Sequence, residues 1–144
     1  MMTTQEILKW RQQASGLNRL MNMQITELSE GHAVVELSLT PELLNPLGMA
    51  HGGTIYSLCD VAAGTAAASR GRVAVTLNSS TNYLRPGGPG RTLRAVATER
   101  KTGRRTGVYL VEVFDDKDTH ITDATFTMYY TGQTLEDLIC RPAE

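Results

Sequence analysis

Residues His51 to Ser69, HGGTIYSLCDVAAGTAAAS, decide how the rest of the chain is read. Behind the His-Gly-Gly opening runs a stretch of small and apolar residues, long enough for about five turns of helix. A helix of that composition is expected to be packed on all sides. It nevertheless carries one carboxylate, Asp60, in its middle. An unpaired carboxylate in apolar surroundings is costly or becomes protonated, so Asp60 must have a partner or take part in chemistry.

Working outward, Thr3 to Ser15 has the pattern of a short amphipathic helix. Thr3 and Glu6 make a capping box, Ile7, Trp10 and Ala14 share a face, and Gly16 supplies a stop. From Met21 the period changes to two. Met21, Met23 and Ile25 alternate with polar residues, Glu30-Gly31 turns, and Ala33, Val35, Leu37 and Leu39 alternate again, which predicts an antiparallel hairpin. Thr40 to Ala50, with two prolines and a glycine, is expected to be irregular. Beyond the central helix four strand patterns follow. They are Val73 to Arg85, a strand from Leu93, Val108 to Phe114, and one carrying Ala124, Phe126, Met128 and Tyr130 inward. Thr134 to Ile139 is expected to close the chain with a half-turn. Six antiparallel strands and one helix apolar all round predict an α+β fold, a curved six-stranded antiparallel sheet wrapped around one long central helix.

The 144 residues suit one domain, 1–144, with a core that needs neither disulfide nor metal. Fourteen Lys and Arg balance fifteen Asp and Glu to a formal charge of -1, so no global field draws the chain to nucleic acid or anionic lipid. No stretch reaches the roughly 18 apolar residues of a membrane span, and MMTTQEILKW lacks a basic start followed by an apolar run. A cytoplasmic protein without membrane or nucleic-acid partners is expected. Cys59 and Cys140 form no CxxC, and the three histidines are too scattered for a metal site. Cys59 is expected to be a core cysteine, since no thiol-enzyme motif accompanies it.

Several residues have the chemistry of a reaction centre. Gly52 and Gly53 stand where helix amides lack intrahelical acceptors, so they either bind an oxyanion or simply make a tight start to the helix. Asp60 follows Gly52 by eight residues, which is about 12 Å along a helix axis. One helix cannot bring its own Gly52 amide and its own Asp60 to one carbon. A second copy running antiparallel in a twofold dimer can supply the missing half. Otherwise Asp60 is capped by Ser57 or Thr54, or paired with an arginine. Asn45, in the loop before His51, can hold a water or a carbonyl oxygen, or can serve as an Asn-Pro turn starter. Arg85, Arg91, Arg94, Arg100, Lys101, Arg104 and Arg105 gather half of the basic residues, and the RKTGRR turn is either a solvated turn or a phosphate-binding one.

NPLGMAHGGTIYSLCD, the small-residue helix after it, TLNSSTNYLRPG, TGRRT and VEVFDD together resemble the hotdog-fold acyl-CoA thioesterases of the PaaI-like kind, over about Leu17 to Thr131. The resemblance implies a hotdog fold, dimers that share active sites, and pairing of dimers into tetramers. It implies that the Gly52 amide polarises the thioester carbonyl while Asp60 of the other subunit attacks it or activates water. Asn45 then helps hold water or substrate, and His51 occupies the position of the motif histidine. The resemblance further implies that Thr76 faces the reaction centre. CoA contacts fall on Tyr83, Leu84, Arg85 and Pro86 and on Lys101, Thr102, Gly103, Arg104, Arg105 and Thr106. No cofactor is implied, since CoA belongs to the substrate. The acyl group, aromatic or short-to-medium aliphatic, is not specified by the motif.

Two other activities use such a fold. A hydratase or dehydratase acting on acyl-CoA needs a catalytic His paired with an acid, and neither a DxNPxH arrangement nor an HFP run is present. A non-catalytic acyl-CoA-binding module needs an effector segment, for which the roughly 16 residues before the first expected strand are too few to make a DNA-binding helix-turn-helix.

Overall fold

The capping box predicted at Thr3 is present, and the helix it starts covers one end of the sheet. In a computed structural model, which describes residues 1–140, α1 spans Thr4–Ala14. The Thr3 side chain accepts from the Glu6 amide, and the Glu6 carboxylate accepts from the Thr3 amide. Gly16 does not stop the chain as expected. Ser15 caps a second helix, α2, Gly16–Leu20, by accepting from the Asn18 amide. The first strand therefore begins at Gln24, with 23 residues ahead of it.

Strands β1 (Gln24–Ser29) and β2 (His32–Ser38) form the predicted hairpin about Gly31, whose φ of 72° suits glycine. A short 3-10 turn, Pro41–Leu43, precedes α3, Gly52–Ala68. After it come β3 (Arg72–Tyr83), β4 (Thr92–Thr102), β5 (Thr106–Phe114) and β6 (His120–Thr134), then α4 (Leu135–Ile139). All neighbouring strands are antiparallel, in the order β1-β2-β4-β5-β6-β3. The concave face carries Val35, Leu37, Ala95, Val111, Val113 and Phe126 against Leu58, Ala62, Ala63, Ala66 and Ala67 of α3, all buried. Alanines on that face let the helix axis approach the sheet closely, so the curved sheet wraps the helix as a hotdog fold does. No helix among the described residues is long and apolar enough to cross a membrane.

The helix is not wrapped on every side, which corrects the reading from composition. From Val61 to Ala68 every residue is buried, but Gly53 and Tyr56 are exposed, and Ser57 and Asp60 are half-buried. These positions recur at three and four residues, so they make one open stripe. It runs beside β3, to which the Tyr56 hydroxyl is tied by a 2.6 Å hydrogen bond with Ser79. Among the described residues β3 pairs only with β6, leaving twelve residues of free edge on which Val75 and Leu77 are 51% and 58% exposed.

Candidate active site

The helix N-terminus leaves one amide open. The Thr54 and Ile55 amides both donate to the His51 carbonyl, and the Gly53 amide donates to His51 Nδ1 at 2.8 Å. Of the first four N–H groups, none of which has an intrahelical acceptor by default, only that of Gly52 is without a partner among the described residues. His51 is thus the N-cap of α3, and its ring occupies the second glycine's amide while sparing the first. The Tyr83 hydroxyl donates to the Gly52 carbonyl at 2.9 Å, and its ring lies where a Cβ on Gly52 would meet it at 3.5 Å. This fixes the orientation of the peptide unit.

A cavity of about 320 Å³ opens at this end, lined by Asn45, Gly52 and Ile55 on one side and by Tyr83, Leu84, Arg85 and Pro86 on the other. Asn45 uses its Oδ1 to accept from the Leu47 and Met49 amides, at 2.9 and 3.0 Å. Its oxygen therefore builds the turn, and its side-chain nitrogen, which has no described acceptor, is the part left for a ligand. Arg85 is anchored by donating to the His120 carbonyl at 2.8 Å.

Asp60 lies two turns farther along α3, in a different cavity of about 460 Å³. Its Oδ1 accepts from the Thr76 hydroxyl at 2.6 Å, a charge-assisted bond that fixes the carboxylate. Thr76 and Asp60 thus line one cavity. Neither Ser57 nor Thr54 caps Asp60, because the Ser57 hydroxyl donates to the Gly53 carbonyl and that of Thr54 to the Leu43 carbonyl. Arg11 lines the same cavity without forming an ion pair with Asp60. Burial lowers the pKa of Arg11, and the charge of Asp60 opposes that shift. Cys59, beside Asp60, is fully buried, and burial with the neighbouring carboxylate pushes its thiol up to about 12. It is a core cysteine, as expected, and no thiolate nucleophile.

The Lys101 to Thr106 turn joins β4 to β5. Thr106 is in register with Tyr129, and Tyr129 with Val75, so the turn belongs to the Asp60 end of the sheet. Arg85 lies ten residues beyond Val75 along the strand direction, roughly 30 Å away, so within one chain the turn and Arg85 do not meet. Arg72 holds the turn from beneath, donating to the Gly103 and Arg104 carbonyls and stacking over the Tyr130 ring at 3.5 Å. Lys101, Arg104 and Arg105 are exposed and form no ion pair among the described residues, whereas Arg91 and Arg94 pair with Asp116 and Asp118. Sequence reasoning did not find Trp10, Arg11, Leu17 and Asn18, which line the Asp60 cavity from α1 and α2. No group of His, Cys, Asp and Glu among the described residues could hold a metal ion.

Comparison with known proteins gives this geometry a context. Residues 47–122 match the profile of the thioesterase superfamily. The acyl-coenzyme A thioesterase PaaI of Escherichia coli is 37% identical over 99 residues, covering 69% of this chain and 71% of that one. The solved structure of the E. coli PaaI protein superposes with a TM-score of 0.88, at 30% identity over 91% of this chain and 95% of that chain. A Streptococcus pneumoniae protein described as a hypothetical thioesterase, solved with coenzyme A, gives a TM-score of 0.76 at 37% identity, covering 78% of this chain and 88% of that one. Two further structures of a thioesterase protein from that organism carry alanine in place of an aspartate and of a threonine sixteen positions apart, the spacing of Asp60 and Thr76.

Proposed function

The chain belongs to the thioesterase superfamily, and from that premise we propose that it hydrolyses acyl-CoA thioesters to free acid and CoA, in reaction centres shared between two copies. One observation carries the shared centre. Gly52 and Asp60 line separate cavities, about 12 Å apart on one helix, and the open stripe between them borders the unpaired edge of β3. A second copy joined antiparallel along β3 covers that edge and sets Gly52 of one copy against Asp60 of the other. The same pairing brings Tyr83 to Pro86 of one copy toward the basic Lys101 to Thr106 turn of the other. Cations that are far apart in one chain then flank one CoA. Pairing of such dimers into tetramers follows the pattern of the family the sequence resembles.

In this reading the free N–H of Gly52 donates to the thioester oxygen, whose negative charge grows as the carbonyl carbon is attacked. Asp60, fixed by Thr76, either attacks that carbon or takes the proton of an attacking water. The electron pair of the C–S bond leaves with the CoA sulfur. A thiolate is a far better leaving group than an alkoxide, because thiols are much stronger acids than alcohols, so no general acid is required. His51 acts by holding the Gly53 amide, and the Asn45 side-chain nitrogen holds water or the acyl oxygen. Free Cys59 and Cys140 fit a reducing, cytoplasmic compartment.

The experiment is thiol release from a panel of phenylacetyl, hydroxybenzoyl and aliphatic CoA esters, with Asp60→Asn beside the wild type. Free CoA from at least one ester, reduced by several powers of ten in Asp60→Asn with KM little changed, is the expected result. Hydrated acyl-CoA without free thiol indicates a hydratase, and binding without any product indicates a non-catalytic module. Either outcome overturns the proposal.

A further inference from the structure

The cavity over Asp60 continues past it along α3, and Trp10, Arg11, Leu17 and Asn18 make the far wall. All four lie outside residues 47–122, the part that matches the family profile. Arg11 is built into the wall. Its Nε donates to Thr65 Oγ1 at 3.3 Å, and the Thr65 hydroxyl donates in turn to the Val61 carbonyl at 2.6 Å. Its guanidinium lies over Gly64, where a Cβ would stand only 2.9 Å from Nη2. The absent side chain is the notch that admits the cation.

The two terminal nitrogens of Arg11 donate to no described acceptor and remain accessible from the cavity. Among the described residues Asp60 is the only carboxylate on the lining, and it is engaged by Thr76 rather than by Arg11. A half-buried guanidinium with open donors is a forked receptor for an oxygen acceptor, and a carboxylate matches the fork best. Gly64 follows Asp60 by one turn, a rise of about 6 Å. An acyl group whose thioester carbon sits at Asp60 therefore carries an atom about 5 to 6 Å beyond that carbon to the guanidinium.

We propose that Arg11 is a specificity residue that selects acyl groups bearing an oxygen acceptor at that distance, a carboxylate above all. This rests on the reading of Asp60 as the site of thioester hydrolysis. An acyl chain ending there in a methyl group would strip water from the cation and offer nothing in return, the condition under which a polar pocket rejects an apolar analogue.

The test uses three five-carbon CoA esters that differ only at the far end: pentanoyl, ω-hydroxypentanoyl and glutaryl. Thiol release by the full chain gives kcat/KM for each, in the wild type, in Arg11→Met and in Gly64→Ala. The wild type is expected to rank glutaryl above ω-hydroxypentanoyl above pentanoyl, with about tenfold or more between the extremes, as suits a charge-assisted contact. Arg11→Met removes that ratio while pentanoyl turnover persists. Gly64→Ala keeps the charge but pushes the guanidinium out of its notch, so it lowers the ratio as well and serves should Arg11→Met fail to fold. Equal rates on all three esters in the wild type, a preference for pentanoyl, or a ratio unchanged in the folded variants overturns the role of Arg11 and leaves thioester hydrolysis standing. Absence of thiol release from every ester, including the broader panel, overturns the underlying reading instead.

Discussion

Replacing Gly52 with proline deletes one N–H and little else, which makes it a sharp probe of the oxyanion donor. Position 52 is the first residue of α3, where proline is well tolerated. His51 before it has φ -61° and ψ 138°, the extended conformation that a residue preceding proline adopts. The Gly52 amide makes no intrahelical bond, so none is removed. A carbon added at Gly52 meets the Tyr83 ring at 3.5 Å, an ordinary van der Waals contact. Folding stability is therefore expected to change by no more than about 1 kcal/mol. Loss of a single oxyanion donor, by contrast, is expected to lower kcat roughly 10²- to 10³-fold, or about 2.7 to 4 kcal/mol of barrier. KM should move little, because the donor serves charge that develops on the way to the transition state. The assay is initial-rate thiol release at saturating acyl-CoA, beside thermal unfolding of the same sample. Gly52→Ala, which keeps the N–H and adds the same first carbon, is expected to retain most of the activity. A folded Gly52→Pro with wild-type kcat, or equal losses in the proline and alanine variants, would refute the donor.

Thr76→Val removes the hydroxyl that holds Asp60 at 2.6 Å while keeping its shape. Because the pair is partly open to solvent, the lower end of the range for a charge-assisted bond applies, about 1.5 kcal/mol or roughly tenfold in kcat with KM unchanged, as steady-state kinetics would register. The paired change of Arg104 and Arg105 to alanine is expected to raise KM for acyl-CoA, by on the order of 1 kcal/mol for each phosphate interaction removed, and to leave kcat nearly intact. The effect should shrink as salt is raised and should vanish with an acyl-pantetheine substrate, which lacks the nucleotide phosphates. Equal damage to both substrates would assign the turn to the fold.

Much of the fold was legible because local signals and burial agree. The Thr3 capping box, the Glu30-Gly31 turn and the period-two strands each declare themselves in a few residues. The helix α2 did not, because Gly16 reads as a stop while Ser15, which restarts the chain by capping Asn18, reads as the end of α1. Strand β6 begins at His120, earlier than its alternation from Ala124 suggests, because Ile121 and Thr122 are both buried and break the pattern. Composition also made α3 look apolar all round. The open stripe of Gly53, Tyr56, Ser57 and Asp60 is diluted among small residues and emerges only when β3 is seen to lie beside it. That Gly52 and Asp60 of one chain cannot act on the same carbon followed from helix rise alone, since they stand eight positions apart. Which residues wall the Asp60 cavity was beyond sequence reasoning. Trp10 and Arg11 reach it through the packing of α1 against α3, and no spacing along the chain encodes that packing.

Mixed dimers test the shared reaction centre most directly. Asp60→Asn and Gly52→Pro chains, each nearly inactive alone, are unfolded together, refolded and allowed to pair at random. Half of the dimers are then mixed, and in each mixed dimer one centre keeps both its aspartate and its amide while the other has neither. A centre built from two copies predicts recovery of about a quarter of wild-type thiol release from the mixture. Well-formed mixed dimers that stay as inactive as their parents would contradict it.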